Sequence, residues 1–356
     1  MNCTEQTLHD IHAALIDWYG THKRALPWRE TRDPYLIWVS EVILQQTRVV
    51  QGTDYYHRFV AQFPTVTALA AADLDEVLSL WQGLGYYSRA RNMHEAAQVV
   101  ANERDGIFPK DYKTLLTLPG VGDYTAAAVS SFAADAPHAA VDGNLLRVVS
   151  RLLGSRLAID LPEGKAFVKQ FVQSLVELGR SAEVNQSLME LGALICLPRE
   201  ALCAECPLAE FCAVTGTGRE TELPLKSRKV SVKPRYMLYL LAETEYGEIW
   251  LRRREGKDIW RGLYEMPLYE AESAIAAEAV TNIVAEQWGV TIAEALTGEQ
   301  RRYKHRLSHR LLDIIVVKAR VPKNVPIFKG FISVKRGDIT TYGMPIILSK
   351  AIEDLL

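Results

Sequence analysis

The sequence predicts two domains of different class, an all-α N-terminal domain followed by a mixed α/β domain. Three observations carry this. At 356 residues the chain has the length of about two domains of roughly 150 residues each. Up to about residue 212 it is a succession of apolar patterns at helical spacing, with almost no period-two alternation. Beyond residue 235 the rhythm becomes that of strands, and residues 213–234, AVTGTGRETELPLKSRKVSVKP, break both patterns with Gly, Pro, Thr and a basic run. The expected boundaries are therefore 1–212, an interdomain linker 213–234, and 235–356.

In chain order, a helix is expected over 7–19. Asp33 followed by Pro34 is an N-cap with proline at the first helical position, and YLIWVSEVILQQT continues as a buried helix. Further helices follow at 53–62, 73–81, 88–103, 112–117, 124–133, 143–153, 164–178 and 183–195. In the second domain YMLYLLAETEYGEIWLRRR reads as two strands around a Tyr246-Gly247 turn, EAVTNIVAEQWGV as a helix and RLLDIIVVKARV as a strand.

A content of 48% apolar and 24% charged residues excludes disordered and fibrous classes. The polar N-terminus and the lack of a long uncharged apolar stretch argue against a secretory signal or membrane span, so a cytoplasmic protein is expected. The net charge of −2 conceals an asymmetry: residues 1–215 carry 18 Lys and Arg against 25 Asp and Glu, and residues 216–356 carry 23 against 18. Global charge thus decides nothing about partners, because phosphate binding depends on where the basic groups sit.

Four of the five cysteines, Cys196, Cys203, Cys206 and Cys212, fall in one short segment spaced C-x6-C-x2-C-x5-C; Cys3 stands alone and is read as a bystander. Without secretory signals a compact thiolate set points to metal rather than disulfides. Zinc is the nearer rival, but its usual pattern has two close pairs and only Cys203 and Cys206 form one; an iron–sulfur cluster is favoured.

Gly120 and Gly122 in LPGVGDYTA permit a tight turn between helices whose free backbone N–H groups can face a phosphate oxygen, although a lone G-x-G also suits a plain helix connection. Asp142 immediately precedes an amphipathic helix. As an N-cap it accepts N–H bonds at the positive end of the helix dipole, which favours its ionised form and suits it to stabilise a sugar oxocarbenium ion. Glu41 lies in a helix apolar nearly all round, where it is either at a gap open to solvent or desolvated with a raised pKa, as a general acid near neutrality requires. One carboxylate pushed down and one pushed up is the pattern of an electrostatic partner and an acid.

Together, the helix-hairpin-helix, the twenty-residue step from Gly122 to Asp142 and the cysteine spacing resemble the DNA glycosylase superfamily that includes endonuclease III. More closely, LPWRETRDPYLIWVSEVILQQTRV at 26–49, WQGLGYYSRARN at 81–92, VDGN at 141–144 and NQSLMELGALIC at 185–196 resemble the MutY family of adenine DNA glycosylases, over essentially the whole chain. The resemblance implies an all-α helix-hairpin-helix glycosylase domain with a [4Fe-4S] cluster segment at 196–212 and a Nudix-like recognition domain. It implies hydrolysis of the N-glycosidic bond of adenine mispaired with 8-oxoguanine or guanine in duplex DNA, after the adenine is flipped from the stack. By position, Glu41 would protonate adenine N7 and later help activate water, and Asp142 would stabilise the oxocarbenium ion. Tyr124 and Asn144 would support these carboxylates, with Trp28, Arg29 and Gln186 near the adenine. A bacterial, nucleoid-associated monomer is implied, with no membrane partner.

Bifunctional relatives carry a lysine after the hairpin that attacks the sugar; here that position is Tyr124, and the nearest lysine, Lys113, precedes the turn, which implies a monofunctional hydrolase. Gln46, Thr47, Leu84 and Tyr86 match positions around 8-oxoguanine; Gly83-Leu84-Gly85-Tyr86 suits a wedge between bases and equally an ordinary helix connection. Arg147, Arg151 and Arg199 are candidate phosphate contacts, although Glu200, Glu205 and Glu210 weaken the electrostatic case. Aligning Gly289-Val290 with the end of the Nudix box places Asn282, Ile283, Glu286 and Gln287 at its Arg and Glu positions, so only Glu286 survives and the domain should bind rather than catalyse. Its reading element is YKHRLSHRLLDI, where the family has Phe-Ser-His and this chain has Leu307, Ser308 and His309; unaided, the stretch also reads as a polar hairpin turn.

Overall fold

The computed structural model describes residues 4–227, 231–290, 299–321 and 326–356. Cys3 and part of the expected linker, 228–230, lie outside the described residues. The chain divides into two compact units, residues 1–70 with 95–229, and residues 71–94 with 230–356. Residues 71–94 thus pack with the C-terminal part of the chain, an association between distant segments that no local pattern announces.

The first unit is helical. Its elements include α1 (Glu5–His22), α2 (Pro34–Ile43), α3 (Val49–Gln62), α7 (Tyr112–Leu115), α8 (Asp123–Ala134), α9 (Gly143–Leu152), α10 (Pro162–Val176) and α11 (Ser181–Leu194), while α4 (Val66–Ala71), α5 (Leu74–Leu80) and α6 (Ser88–Glu103) lie between α3 and α7 in the chain. Local chemistry sets the helix starts. Thr4, Asp33, Asp111 and Asp142 each accept a backbone N–H at the head of α1, α2, α7 and α9. The core gathers Ile11 and Leu15 of α1, Leu145 and Val149 of α9, Val172 and Leu175 of α10, and Leu188 and Leu191 of α11. A second contact joins α2 to α8 and α3. Close approach has a specific cause: a Cβ at Gly192 of α11 would lie 2.6 Å from the Asn144 Cβ, so glycine there lets the first turn of α9 sit against α11. As far as Ser227, the segment read as a linker is held on this unit, through Ile159 N–H to the Leu225 carbonyl and Ser227 to the Asp160 carboxylate.

The second unit is built on a mixed sheet of β1 (Lys233–Thr244), β2 (Glu248–Arg253), β3 (Tyr264–Glu265), β4 (Leu268–Ala271), β5 (Gln300–Arg306), β6 (Arg310–Val321) and β7 (Ile332–Lys335), ordered β3-β2-β1-β6-β5, with β4 on β1 and β7 on β2. β1 and β6 run parallel from Lys233 opposite Arg310 to Thr244 opposite Val321. Both faces of that pair are buried, which is why β1 reads as an unbroken apolar run rather than as alternation. Met237, Tyr239 and Leu241 face a core shared with α13 (Ile346–Leu355), and Leu238, Leu240 and Ala242 face one shared with α12 (Val280–Trp288). No described helix is long and apolar enough to cross a membrane.

Candidate active site and nucleic-acid interface

The first unit contains a cavity of about 480 Å³, within the ~300–1,000 Å³ typical of small-molecule sites. Trp28, Arg29, Glu41, Gln46, Thr47, Tyr124, Asp142, Asn144 and Gln186, all singled out by the sequence, line it together. Gly120 and Gly122 are not among its lining residues; they form the turn between α7 and α8. Gly120 has φ +73°, a conformation that favours glycine, and the space a Cβ would occupy on Gly122 is open, leaving the exposed backbone accessible.

Glu41 sits on α2 between Ser40 and Val42, both buried, and is itself 7% exposed. The Tyr124 hydroxyl donates to its Oε2 at 2.6 Å. Burial pushes the Glu41 carboxyl up to about 7; the Tyr124 hydrogen bond and Arg29 oppose this and the negative charge of Asp142 adds to it. Of the two environments open to this glutamate, it occupies the desolvated one.

Asp142 caps α9 as the sequence indicates. Its Oδ1 accepts from the N–H groups of Asn144 and Leu145, each at 2.8 Å, and the Asn144 amide donates to Oδ2 at 2.9 Å. The expected lowering of its pKa is overturned. Burial is the largest influence and raises it, and the hydrogen bonds and Arg147 only offset part of that cost. The cap was legible locally, whereas the desolvation comes from the walls of the cavity.

Glu190 was not foreseen. On α11 and fully buried, it accepts from Arg24 Nε and Nη2 at 2.8 and 2.6 Å, and from Arg29 Nη1 and Nη2 at 3.1 and 2.8 Å. Burial alone would push its carboxyl up; the hydrogen bonds from the two guanidiniums together outweigh this and hold it at about 2. Arg29 also lies over the Tyr19 ring, 5.5 Å from its centroid, and the Tyr19 hydroxyl hydrogen-bonds Gln186. The only available signal was the four-residue step from Gln186 to Glu190, which places both on one face of α11.

The four cysteines are half-buried and unpaired, and Cys196, Cys206 and Cys212 pack against the helical core. Burial raises the Cys206 thiol to about 11, and the charges of the other three cysteines push it the same way, so the four sulfurs lie near one another. Among the described residues no three ligating side chains are already gathered at metal-binding distance. The donor set, four thiols with Arg151 Nη1 3.3 Å from Cys196 Sγ, fits a thiolate-bound group.

Arg151, one of the three candidate phosphate contacts, is turned inward. It is 2% exposed and donates to the carbonyls of Leu197, Pro198 and Leu223, so its guanidinium anchors the cysteine segment. Arg147 similarly donates to the Cys196 and Gly192 carbonyls and to Asn144 Oδ1, while Arg199 is exposed.

The second unit has its own cavity, of about 410 Å³, lined by Tyr86 and by Leu307, Ser308 and His309, which form the turn joining β5 to β6. The Tyr86 hydroxyl hydrogen-bonds the Ser308 hydroxyl. Tyr86 is 46% exposed in a left-handed conformation, with Gly83 and Gly85 also at positive φ, whereas Leu84 is 7% exposed and Leu307 packs against the core. The loop therefore presents Tyr86, and neither leucine stands out as a wedge. Trp260, also left-handed, lines the same cavity and was missed. On α12, Asn282, Glu286 and Gln287 are exposed and Ile283 is half-buried.

The carboxylate pair, the helix-hairpin-helix and the appended mixed sheet define a class, the base-excision DNA glycosylases. Residues 39–162 match the HhH-GPD superfamily of base excision DNA repair proteins, and residues 238–354 match the NUDIX domain. An adenine DNA glycosylase of Buchnera aphidicola is 31% identical over 305 residues, covering 85% of this chain and 84% of that protein; that of Rattus norvegicus is 43% identical over 226 residues, 59% of this chain and 43% of that one. Among solved structures, a thermostable thymine-DNA glycosylase aligns over 61% of this chain and all of its own, with a TM-score of 0.54 and 29% identity. A non-covalent endonuclease III–DNA complex aligns over 60% of this chain and 97% of its own at TM-score 0.51 and 22% identity, a likeness of fold alone. The chain belongs to the adenine DNA glycosylase family, enzymes of base excision repair whose partner is DNA.

Proposed function

We propose that the protein is a monofunctional glycosylase that removes adenine mispaired with 8-oxoguanine or guanine, acting on a base flipped from the duplex into the first cavity. The observation that carries this is the placing of Glu41 and Asp142 in one cavity, each held by its own donor, Tyr124 and Asn144. A flipped adenine would lie among Trp28, Arg29 and Gln186. Glu41, protonated to about pH 7, donates its proton to adenine N7; the C1′–N9 bond then breaks with its electron pair leaving on the base. Asp142 stabilises the oxocarbenium ion that remains, and the Glu41 carboxylate takes a proton from the water that adds to C1′. No lysine is among the described residues lining the cavity, which supports release without a Schiff base.

In the second unit, Ser308 and His309, with Tyr86 alongside, suit an 8-oxoguanine, whose N7–H donor and O8 acceptor distinguish it from guanine. Only one of the Nudix glutamates remains, which supports binding without pyrophosphate hydrolysis. Domain limits of 1–212 and 235–356 belong to this reading. A [4Fe-4S] cluster held by Cys196, Cys203, Cys206 and Cys212 would tie the segment after α11 to the core beside Arg151. Base release uses only the side chains of the first cavity. Release of free adenine from an 8-oxoguanine:A duplex by the wild type and its loss in Glu41→Gln test the proposal; equal release by the variant removes Glu41 as the acid.

A further inference from the structure

The Glu190 carboxylate is buried in the wall of the first cavity, and the chemistry above leaves it without a role. It takes four hydrogen bonds from two guanidiniums, and a fifth from the Arg24 backbone N–H at 2.8 Å. Packed apolar residues of similar volume often serve a fold as well as a buried ion set, so stability alone does not account for one placed in a cavity wall. Its position suggests another use. Arg24, Arg29 and Glu190 line the same cavity as Glu41, and Arg29 is the cation whose charge reaches Glu41.

Resting on the reading of Glu41 as the acid, we propose that Glu190 is a positioning residue for base release: it fixes the Arg29 guanidinium on the cavity wall and cancels cationic charge that Glu41 would otherwise face uncompensated. The groups around Glu41 are Tyr124 from α8, Asp142 from α9 and Arg29 from the turn before α2. Behind them stand Arg24, Glu190 from α11, Tyr19 from α1 beside Arg29, and Arg147 beside Asp142. Without the Glu190 charge, two guanidiniums face a cavity whose remaining fixed anion is Asp142. A proton on Glu41 is then easier to lose, and the acid is spent at a lower pH.

The test is the single-turnover rate of adenine release by the full-length protein between pH 5.5 and 9, on an 8-oxoguanine:A duplex, with duplex affinity measured in parallel. Glu190→Gln should move the alkaline limb down by about one pH unit, a loss of about tenfold at pH 8 and much less at pH 5.5, with affinity little changed. Arg24→Gln, which leaves Glu190 with one guanidinium, should move the limb the opposite way. Glu190→Asp should restore its position even where the shorter side chain lowers the rate. If Glu190→Gln does not fold, the Arg24→Gln and Glu190→Asp profiles still carry the decision. A wild-type limb that none of the variants moves, whatever happens to the rate, makes Glu190 merely structural and overturns the inference alone. A wild type with no alkaline limb instead overturns the acid role of Glu41, and the inference with it.

Discussion

Replacing Glu41 by Gln should make the folded protein more stable at alkaline pH while removing its activity. Folding raises the Glu41 carboxyl from its ordinary 4.5 to about 7, chiefly by burial. A group that holds its proton more tightly when folded loses the folded state stability as pH rises from the unfolded to the folded value, and the whole loss stands above the latter. At about 1.4 kcal/mol per pH unit the gap is worth about 3 kcal/mol above pH 7, a sizeable part of a typical ~5–15 kcal/mol. Glutamine keeps the shape, carries no charge and can still accept the Tyr124 hydroxyl, so it escapes this loss. Urea unfolding at pH 5 and pH 8.5 reads the difference: the variant should exceed the wild type by less than about 1 kcal/mol at pH 5 and by about 3 kcal/mol at pH 8.5. A stability gap that does not grow with pH would show that Glu41 is not desolvated, and with it would fall the explanation of how this residue acts as an acid near neutrality.

Tyr124→Phe removes the bond that opposes the rise of Glu41, so the alkaline limb of the pH–rate profile should move upward while the rate falls by up to about tenfold; a downward move would contradict the stated role. Replacing Ser308 and His309 by Ala should slow the enzyme chiefly on 8-oxoguanine:A and little on G:A; an equal loss on both would argue against lesion reading by the β5–β6 turn. The purified protein should show visible absorbance with iron and sulfide in equal amounts, lost in Cys203→Ser; zinc without sulfide would replace the cluster by a zinc site of four thiolates.

What the sequence made legible was local. Asp33-Pro34 marked the start of α2, Asp142 its role as the α9 cap, and the pattern change near residue 235 the onset of the sheet. Glu41 stood out because a carboxylate in an apolar helix demands an explanation. Arrangements joining distant segments stayed hidden. Glu190 meets Arg24 and Arg29 across 166 and 161 residues, and nothing near any of them in the chain points to the others. Arg151 lies on an amphipathic helix that could equally have faced solvent; the uncapped carbonyls of the cysteine segment claim it instead. Leu84 looked like part of a wedge by type but is buried, and Leu307 packs half-buried against a core formed by residues far away in sequence.

Monofunctional action means base release by hydrolysis without strand cleavage. End-labelled duplexes containing 8-oxoguanine:A, G:A and T:A, incubated with the protein and divided before and after hot alkali, test it most directly, with Glu41→Gln as control. Breaks are expected at the adenine of the two mispairs only after alkali, with none from T:A and none with the variant. Breaks without alkali, trapped by borohydride as a covalent protein–DNA adduct, would contradict it.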